Sequence, residues 1–486
     1  MSISTEVISL FNVIDGEKRR AASSETFDKR SPATGDVISR VPRSTAQDIA
    51  SAIAAAKAAQ PAWARRTPVE RGAIIRRIAA LLERDAERVA AVVAEETGKS
   101  PRDAMGETGG AIEMGYFVAG EGRRFYGKTT TSGVANRQAS IVRQPLGVAG
   151  LIIAANTPIA NVAWKVFPAI ICGNAAVLKA SEDTPHTASI FAEIAAEAGL
   201  PPGVLNVVHG LGPEAGPPLV ESVDVAIVSF TGSTAVGRMI ARVAGARLAK
   251  VCLELGGKNP FIVCDDAELE AAAKTAALSA FSNAGQRCAA ASRLIVSDRV
   301  YDRFRELLLA EAGAQRVGSS DDHDYGPVIN ERQMANMLAS VERARDGGAK
   351  VLHGGHRVGD RGWYVAPTVI EGVGLDEEIA CTELFGPIAT LHKVSSFEEA
   401  VTAANASPYG LTAAIWTNSI HRAQEFVRAI QSGVASVNGP TYGSEPHWPF
   451  GGVKASGTGW REAGTEALDV YSDIKTVHVT HDPTLV

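Results

Sequence analysis

Residues 148–179, VAGLIIAANTPIANVAWKVFPAIICGNAAVLK, carry the pattern that decides the fold. The run from Val148 to Ala155 is apolar without alternation, as in a strand covered on both faces. Asn156 and Pro158 end it, IANVAWKVFPAIICG reads as a helix, and AAVLKA returns to an unbroken apolar strand. Working downstream, TASIFAEIAAEAG reads as helix, VLNVVHG as strand, GPEAGPPLVES as helix and VDVAIVSF as strand. Buried strands alternating with helices imply a parallel, doubly wound α/β sheet. After Glu254 the alternation restarts with NPFIVCDD, AELEAAAKTAALSAFSNAG, SRLIVSD and RVYDRFRELLLAEAG, which predicts a second α/β unit. GVASVNGP and the glycine-rich PFGGVKASGTGW close that unit.

Upstream, residues 44–100 are rich in helix formers, Ile74, Ile75, Ile78, Leu81 and Leu82 recur at helical spacing, and Gly98 supplies a stop. Helix is expected again from Ala111 to Tyr126, followed by a short strand at Ser140 to Arg143. The tail DIKTVHVT reads as a strand with no neighbour in sequence, so it and the Ser140 segment are expected to pair across subunits. The expected organisation is a dinucleotide-binding domain from 1–127 and 146–256, a catalytic domain from 257–455, and oligomerisation strands from 128–145 and 470–486. At 486 residues the chain exceeds the roughly 250 that one core serves, in keeping with two domains.

Apolar residues make up 45% and charged residues 21%, as in an ordinary globular protein, and a net charge of −6 speaks against a nucleic-acid or anionic-membrane partner. Five scattered cysteines, Cys172, Cys252, Cys264, Cys288 and Cys381, form no metal-ligand spacing, so no metal is expected. They suit a reducing compartment, and MSISTEVISLFNVIDGEKRR shows no leader pattern, so a cytoplasmic location is expected.

Two segments carry chemistry. FSNAGQRCAAAS presents Cys288, and a thiolate attacks a carbonyl far better than a hydroxyl near neutral pH. LELGGKNP presents Glu254, a carboxylate able to activate water. Together these segments resemble the active-site signatures of the aldehyde dehydrogenase superfamily, and the resemblance runs from SPATGDVISRV to DIKTVHV. It implies a variant Rossmann cofactor domain, an α/β catalytic domain and a small β oligomerisation excursion. It also implies Cys288 as nucleophile, Glu254 as general base, and Asn156 as a side-chain donor to the oxyanion. Lys165 and Glu462 match positions of a proton relay or, equally, of a structural pair. Ala155 departs from the tryptophan many members carry, and Ala180 from the proline that often follows the lysine.

The usual G-x-G-x-x-G fingerprint is missing. GLGPEAG at 210–216 has the wrong spacing, although Gly212 within it is a cofactor-side candidate. SFTGSTAVG is similar to the family's pyrophosphate turn, with Gly232 and Ser233 at the end of the strand Val223 to Phe230 and a helix starting near Thr234. By the same resemblance Lys179 and Glu182 hold the adenosine ribose, while Glu383, with Phe385 beside it, holds the nicotinamide ribose. Glu182 would repel a 2′-phosphate, so NAD is the expected cofactor, with NADP use left open by Lys179.

The resemblance also implies a substrate tunnel lined by Tyr116, Trp164, Arg287, Ala289 and the loop GPTYGSEPHW with Tyr442, His447 and Trp448. Arg287 suits the distal carboxylate of an oxo-acid semialdehyde or else a surface ion pair, whereas the aromatic residues suit an aromatic aldehyde. The expected protein is a homodimer or homotetramer that converts a small aldehyde into its acid. The competing readings are a CoA-acylating aldehyde dehydrogenase, which would not need Glu254, a non-enzymatic binding protein on the same fold, and a cofactor-free cysteine hydrolase. The last would pair its thiol with a histidine, and none of the ten histidines sits in such a motif.

Overall fold

The strand Val148–Ile152 is buried along its whole length between Val225–Thr231 and Ala175–Lys179, parallel to both. The structure, a computed structural model, describes residues 7–485; the first six residues, part of the stretch read for a leader, and Val486 lie outside the described residues. Lys250–Glu254 flanks Val225–Thr231 and Leu205–Val208 flanks Ala175–Lys179, both parallel. Asn12–Ile14 and Glu17–Arg19 complete this seven-stranded sheet in antiparallel fashion. One face is covered by the helices Pro68–Arg84, Ala86–Thr97, Pro101–Glu121, Pro158–Ile171 and Pro185–Glu197, whose Ile78, Met114, Phe167 and Phe191 share one apolar core. Ala46–Arg65, Gly212–Glu221 and Thr234–Ala246 cover the other through Ile49, Leu219 and Ile240. The molecule is therefore mixed α/β.

Local chemistry sets these helix ends. Thr45 with Asp48 and Thr67 with Glu70 form capping boxes, and Gly98 ends the third helix with φ 73. The helix expected from Ala111 to Tyr126 instead runs Pro101–Glu121. A side chain at Gly122 would meet the Pro68 carbonyl at 2.4 Å, and Arg124 turns back onto Glu121, so the chain leaves the helix there.

A second seven-stranded sheet runs in the order Lys350–His353, Thr368–Glu371, Ile388–Val394, Ala291–Ser297, Asn259–Val263, Thr412–Trp416, Val434–Val437. Lys350–His353 alone is antiparallel within it. A third sheet gives the tail a partner within its own chain. Ser472–Thr480 pairs within the same chain, antiparallel to Arg137–Pro145, from Ser472 opposite Pro145 to Thr480 opposite Arg137, and Lys128–Thr130 flanks the other side. Each strand satisfies the other's backbone groups, which outweighs their separation in sequence. Ile474 and Val479 remain exposed on it.

Asn174 joins the tail to the first sheet. Its fully buried amide accepts from the Leu146 and Gly147 N–H groups and donates to the Ala169 and Tyr471 carbonyls. Asn174→Ala removes all four bonds and is expected to cost about 3 kcal/mol, read as a lower urea midpoint. An unchanged midpoint would show that water replaces the amide.

Candidate active site

Cys288 lies in the link between the helix Leu269–Phe281 and the strand Ala291–Ser297. The link turns sharply, with Asn283, Ala284 and Gly285 all at positive φ (55, 54 and 66). Gly285 is required there, because a side chain would meet the Gly386 carbonyl oxygen at 2.1 Å. Side chains from elsewhere hold the backbone: the Asn259 amide donates to the Cys288 and Ala290 carbonyls at 2.7 and 2.9 Å, and the Thr441 hydroxyl to the Ala289 carbonyl. Gln286 accepts from the Ile329 N–H and donates to the Pro327 carbonyl. Burial, then the charges of Glu383 and Glu254, push the Cys288 thiol up to about 12, so the cofactor-free protein holds it as a neutral thiol at pH 7.

Glu254 ends the strand Lys250–Glu254. The strap formed by Ser456, Gly457 and Thr458 lies across it: Leu255 N–H donates to the Ser456 carbonyl, Leu253 N–H to the Thr458 hydroxyl, and Glu254 bridges Gly457. Both Glu254 carboxylate oxygens are buried without a hydrogen-bond partner among the described residues. Burial and the Glu462 charge hold its carboxyl well above the usual range, offset in part by Lys165 and Arg461. Lys165 and Glu462 meet at 2.5 Å, both buried.

Asn156 follows the strand Val148–Ile152 and donates its amide to the Gln286 carbonyl at 3.1 Å, two residues before Cys288. Its own carbonyl accepts from Lys99 at 2.9 Å; Lys99 pairs with Glu107 at 2.6 Å, and Glu107 accepts from the Ile159 N–H at the start of the next helix. Asn259, Gln286, Thr441, Lys99 and Glu107 were not singled out from sequence. Asn259 and Gln286 sit inside the two chemical segments, LELGGKNP and GQRC, where a side-chain amide beside a nucleophile was an available signal.

The cofactor candidates gather at the carboxyl ends of the parallel strands. Lys179 ends its strand and holds Glu182 at 3.1 Å. A side chain at Gly212 would lie 3.6 Å from the Glu182 carboxylate, so the glycine leaves open space beside it. The strand expected from Val223 to Phe230 runs Val225–Thr231; Ser233 then caps the helix Thr234–Ala246, whose exposed start leaves N–H groups for a diphosphate. The Gly232 N–H is bound to the Glu254 carbonyl, so Gly232 contributes its turn rather than its donor. Glu383 accepts from the Gly257 N–H at 3.0 Å, and burial pushes its carboxyl up to about 7 against that bond and Lys258. Phe385 stands beside it at φ 55. These residues fit a dinucleotide: a carboxylate, a glycine beside it and a helix amino terminus lie on one edge.

Among the expected substrate residues, the Arg287 guanidinium lies 4.9 Å over the Tyr442 ring and makes no ion pair among the described residues; its buried Nε has no partner. Trp164 meets Phe450 edge-on at 5.7 Å, and His447 lies between Phe117 and Trp448 at 6.5 and 5.8 Å. Tyr116 does not join them. Its hydroxyl donates to Glu83 on a neighbouring helix, and the next residue, Phe117, reaches His447 instead. Trp448 is half exposed at the rim. Among the described residues no helix is long and apolar enough to cross a membrane, and no cluster of acidic, histidine or cysteine side chains is arranged to hold a metal.

Comparison with known proteins agrees with this arrangement. The model of the aldehyde dehydrogenase family matches residues 19–477. The chain is 39% identical to alpha-ketoglutaric semialdehyde dehydrogenase of Bacillus subtilis, over 99% of this chain and 100% of that protein. It is 38% identical to 2,5-dioxopentanoate dehydrogenase of Saccharolobus solfataricus, over 94% and 96% of the two chains. The crystal structure of an NAD-dependent aldehyde dehydrogenase from Sinorhizobium meliloti matches with a TM-score of 0.95 at 37% identity, covering 98% of this chain and 95% of that one.

The neutral thiol has a direct readout. Alkylation of Cys288 by iodoacetamide in the cofactor-free protein, followed by mass spectrometry of its peptide, is expected to keep accelerating to at least about pH 10. A plateau reached by pH 7 would contradict it.

Proposed function

The chain belongs to the aldehyde dehydrogenase family, and from that premise we propose that it oxidises an oxo-acid semialdehyde to the dicarboxylic acid with NAD, hydrolysing the acyl intermediate. The observation that carries the substrate class is Arg287, one residue before the nucleophile, with its guanidinium stacked on Tyr442 and free of any ion pair among the described residues. A guanidinium so placed lacks the anion it is shaped to hold, and a carboxylate on the substrate supplies it. The names of the Bacillus subtilis and Saccharolobus solfataricus relatives both specify an aldehyde that carries a carboxylate. The aromatic residues Trp164, Phe450, Phe117 and His447 support a second reading, an aromatic aldehyde.

In this reading the Cys288 sulfur bonds to the aldehyde carbon and the thiol proton passes to solvent. The carbonyl oxygen becomes an oxyanion, which the Asn156 amide stabilises once it releases the Gln286 carbonyl. Oxidised nicotinamide, held through Lys179, Glu182, Ser233 and Glu383 with Gly212, Gly232 and Phe385 shaping the site, supplies the hydride acceptor. A thioester remains on Cys288. Water then attacks its carbon while Glu254 takes the water proton; the carbon–sulfur bond breaks, the acid is released, and the Cys288 sulfur, freed as thiolate, regains a proton from solvent. Lys165 and Glu462 are the proposed route by which that proton reaches solvent. A base so placed supports hydrolysis over transfer to CoA. Glu182 supports NAD over NADP, since a 2′-phosphate would sit against its charge.

The exposed face of the tail sheet, with Ile474 and Val479, suits a second copy, so a homodimer or homotetramer is part of the proposal, as is division of labour between residues 1–256 and 257–455. Five free cysteines suit a cytoplasmic setting.

NADH absorbance across an aldehyde panel tests the substrate. Arg287→Ala is expected to lower kcat/KM for 2,5-dioxopentanoate and succinic semialdehyde by about 10- to 100-fold while leaving benzaldehyde unchanged; uniform behaviour across the panel would sink the carboxylate reading. For the cofactor, Glu182→Ser is expected to raise the NADP to NAD ratio of kcat/KM by about tenfold. If that ratio stays put, Glu182 is not the discriminator.

A further inference from the structure

Lys165, Ser229 and Glu462 form a closed triangle beneath Glu254. Lys165 Nζ donates to Ser229 Oγ at 2.8 Å and to Glu462 Oε1 at 2.5 Å, and Ser229 Oγ donates to the same Glu462 oxygen at 2.8 Å. Ser229 and Lys165 are fully buried and Glu462 nearly so. Each comes from a different element: Lys165 from the helix Pro158–Ile171, Ser229 from the strand Val225–Thr231, Glu462 from the segment that follows the strap. Glu254, the remaining carboxyl group of the cluster, has no hydrogen-bond partner among the described residues although an ammonium lies close enough to act on its charge. In a buried site a lysine pairs with whichever carboxylate satisfies it best. The hydroxyl decides between the two, because it offers Lys165 a second acceptor on the Glu462 side and itself donates to Glu462.

We propose that Ser229 is a positioning residue for the hydrolytic half-reaction: it ties Lys165 to Glu462 and so keeps Glu254 an unpaired base. This rests on the reading of Glu254 as the group that takes the water proton. Paired with an ammonium, Glu254 would be a weaker base and would lose the freedom to turn toward the thioester; unpaired, it keeps a high proton affinity and an open path. Besides Lys165 and Glu462, other titratable groups stand near it among the described residues. Cys252 lies on its own strand, with Sγ 3.9 Å from Glu462 Oε1. Arg461 flanks Glu462, Cys288 faces from the nucleophile loop, and Tyr471, on the helix Ala467–Tyr471, faces Glu462 and Ser229 rather than Glu254. Of these only Lys165 and Arg461 carry positive charge, and Arg461 is turned to the Gly452, Gly459 and Trp460 carbonyls.

The test is the pH dependence of acyl-enzyme hydrolysis, followed in single turnovers as loss of the thioester on the Cys288 peptide. In Ser229→Ala, Lys165 is released toward Glu254, and the acid limb is expected to move down by about one pH unit, with slower hydrolysis at the plateau. Ser229→Thr keeps the hydroxyl and is expected to keep the limb in place. NADH formation in the first turnover should change in neither variant, which separates positioning from general damage. An acid limb that stays where it was in Ser229→Ala, with the variant folded and forming thioester, would overturn the proposal. Glu254→Gln isolates the underlying reading: thioester should form and persist, and hydrolysis at the wild-type rate would reject Glu254 as the base whatever Ser229 does.

Discussion

The Leu255 N–H bound to the Ser456 carbonyl, the Ser456 hydroxyl bound to the Gly256 carbonyl, and the Gly410 N–H bound to that same hydroxyl tie the strap to the end of one sheet and to the other unit at once. The two sheets have separate cores, and these bonds hold the carboxyl end of the first against the nucleophile-bearing side of the second. Glu254 lies under the strap. Gly451 leaves the room its carboxylate needs, since a side chain there would meet Glu254 Oε1 at 2.7 Å. The burial of Glu254 and the absence of a hydrogen-bond donor to it among the described residues, on which its proposed role as base depends, follow from where this crossing puts it.

The consequence for energetics is that charge is buried in pairs and single groups of different kinds. Lys165 with Glu462 and Lys99 with Glu107 are neutral as pairs and shape the backbone around them. Glu254 and Glu383 are left with little compensation, and their proton affinities rise. Cys288 shares that fate, first through its burial and then through the charges of both. Lys99 with Glu107 is architecture, Lys165 with Glu462 stands beside the proposed base, and the uncompensated groups stand where the proposed reaction makes and breaks bonds.

The sequence made the layered architecture legible because strands buried on both faces cannot alternate, and Val148–Ile152 and Ala175–Lys179 advertise this without ambiguity. Cys288, Glu254 and Asn156 became candidates for another reason: each sits inside an extended segment that resembles a family motif. What stayed hidden depends on partners far along the chain. The match between Ser472–Thr480 and Arg137–Pro145, the turn of Tyr116 toward Glu83, and the tie of Lys99 to the Asn156 carbonyl are properties of packing, with no local periodicity to reveal them. Ser229 is a sharper case, since within VDVAIVSF it is one small polar residue in an apolar strand, and only its neighbours give it meaning.

Arg287 stands apart from the residues that hold its own loop. The backbone around it is secured by Asn259, Thr441, Gln286 and the close approach of Gly285 to Gly386, while the Arg287 side chain rests on one tyrosine ring. Exchange at this position therefore leaves the nucleophile's geometry intact. If Arg287 holds the substrate carboxylate as proposed, natural drift can retune which aldehydes are accepted at the residue next to the sulfur without first repairing the loop that presents it, and a lineage carrying this loop can change diet by a single codon.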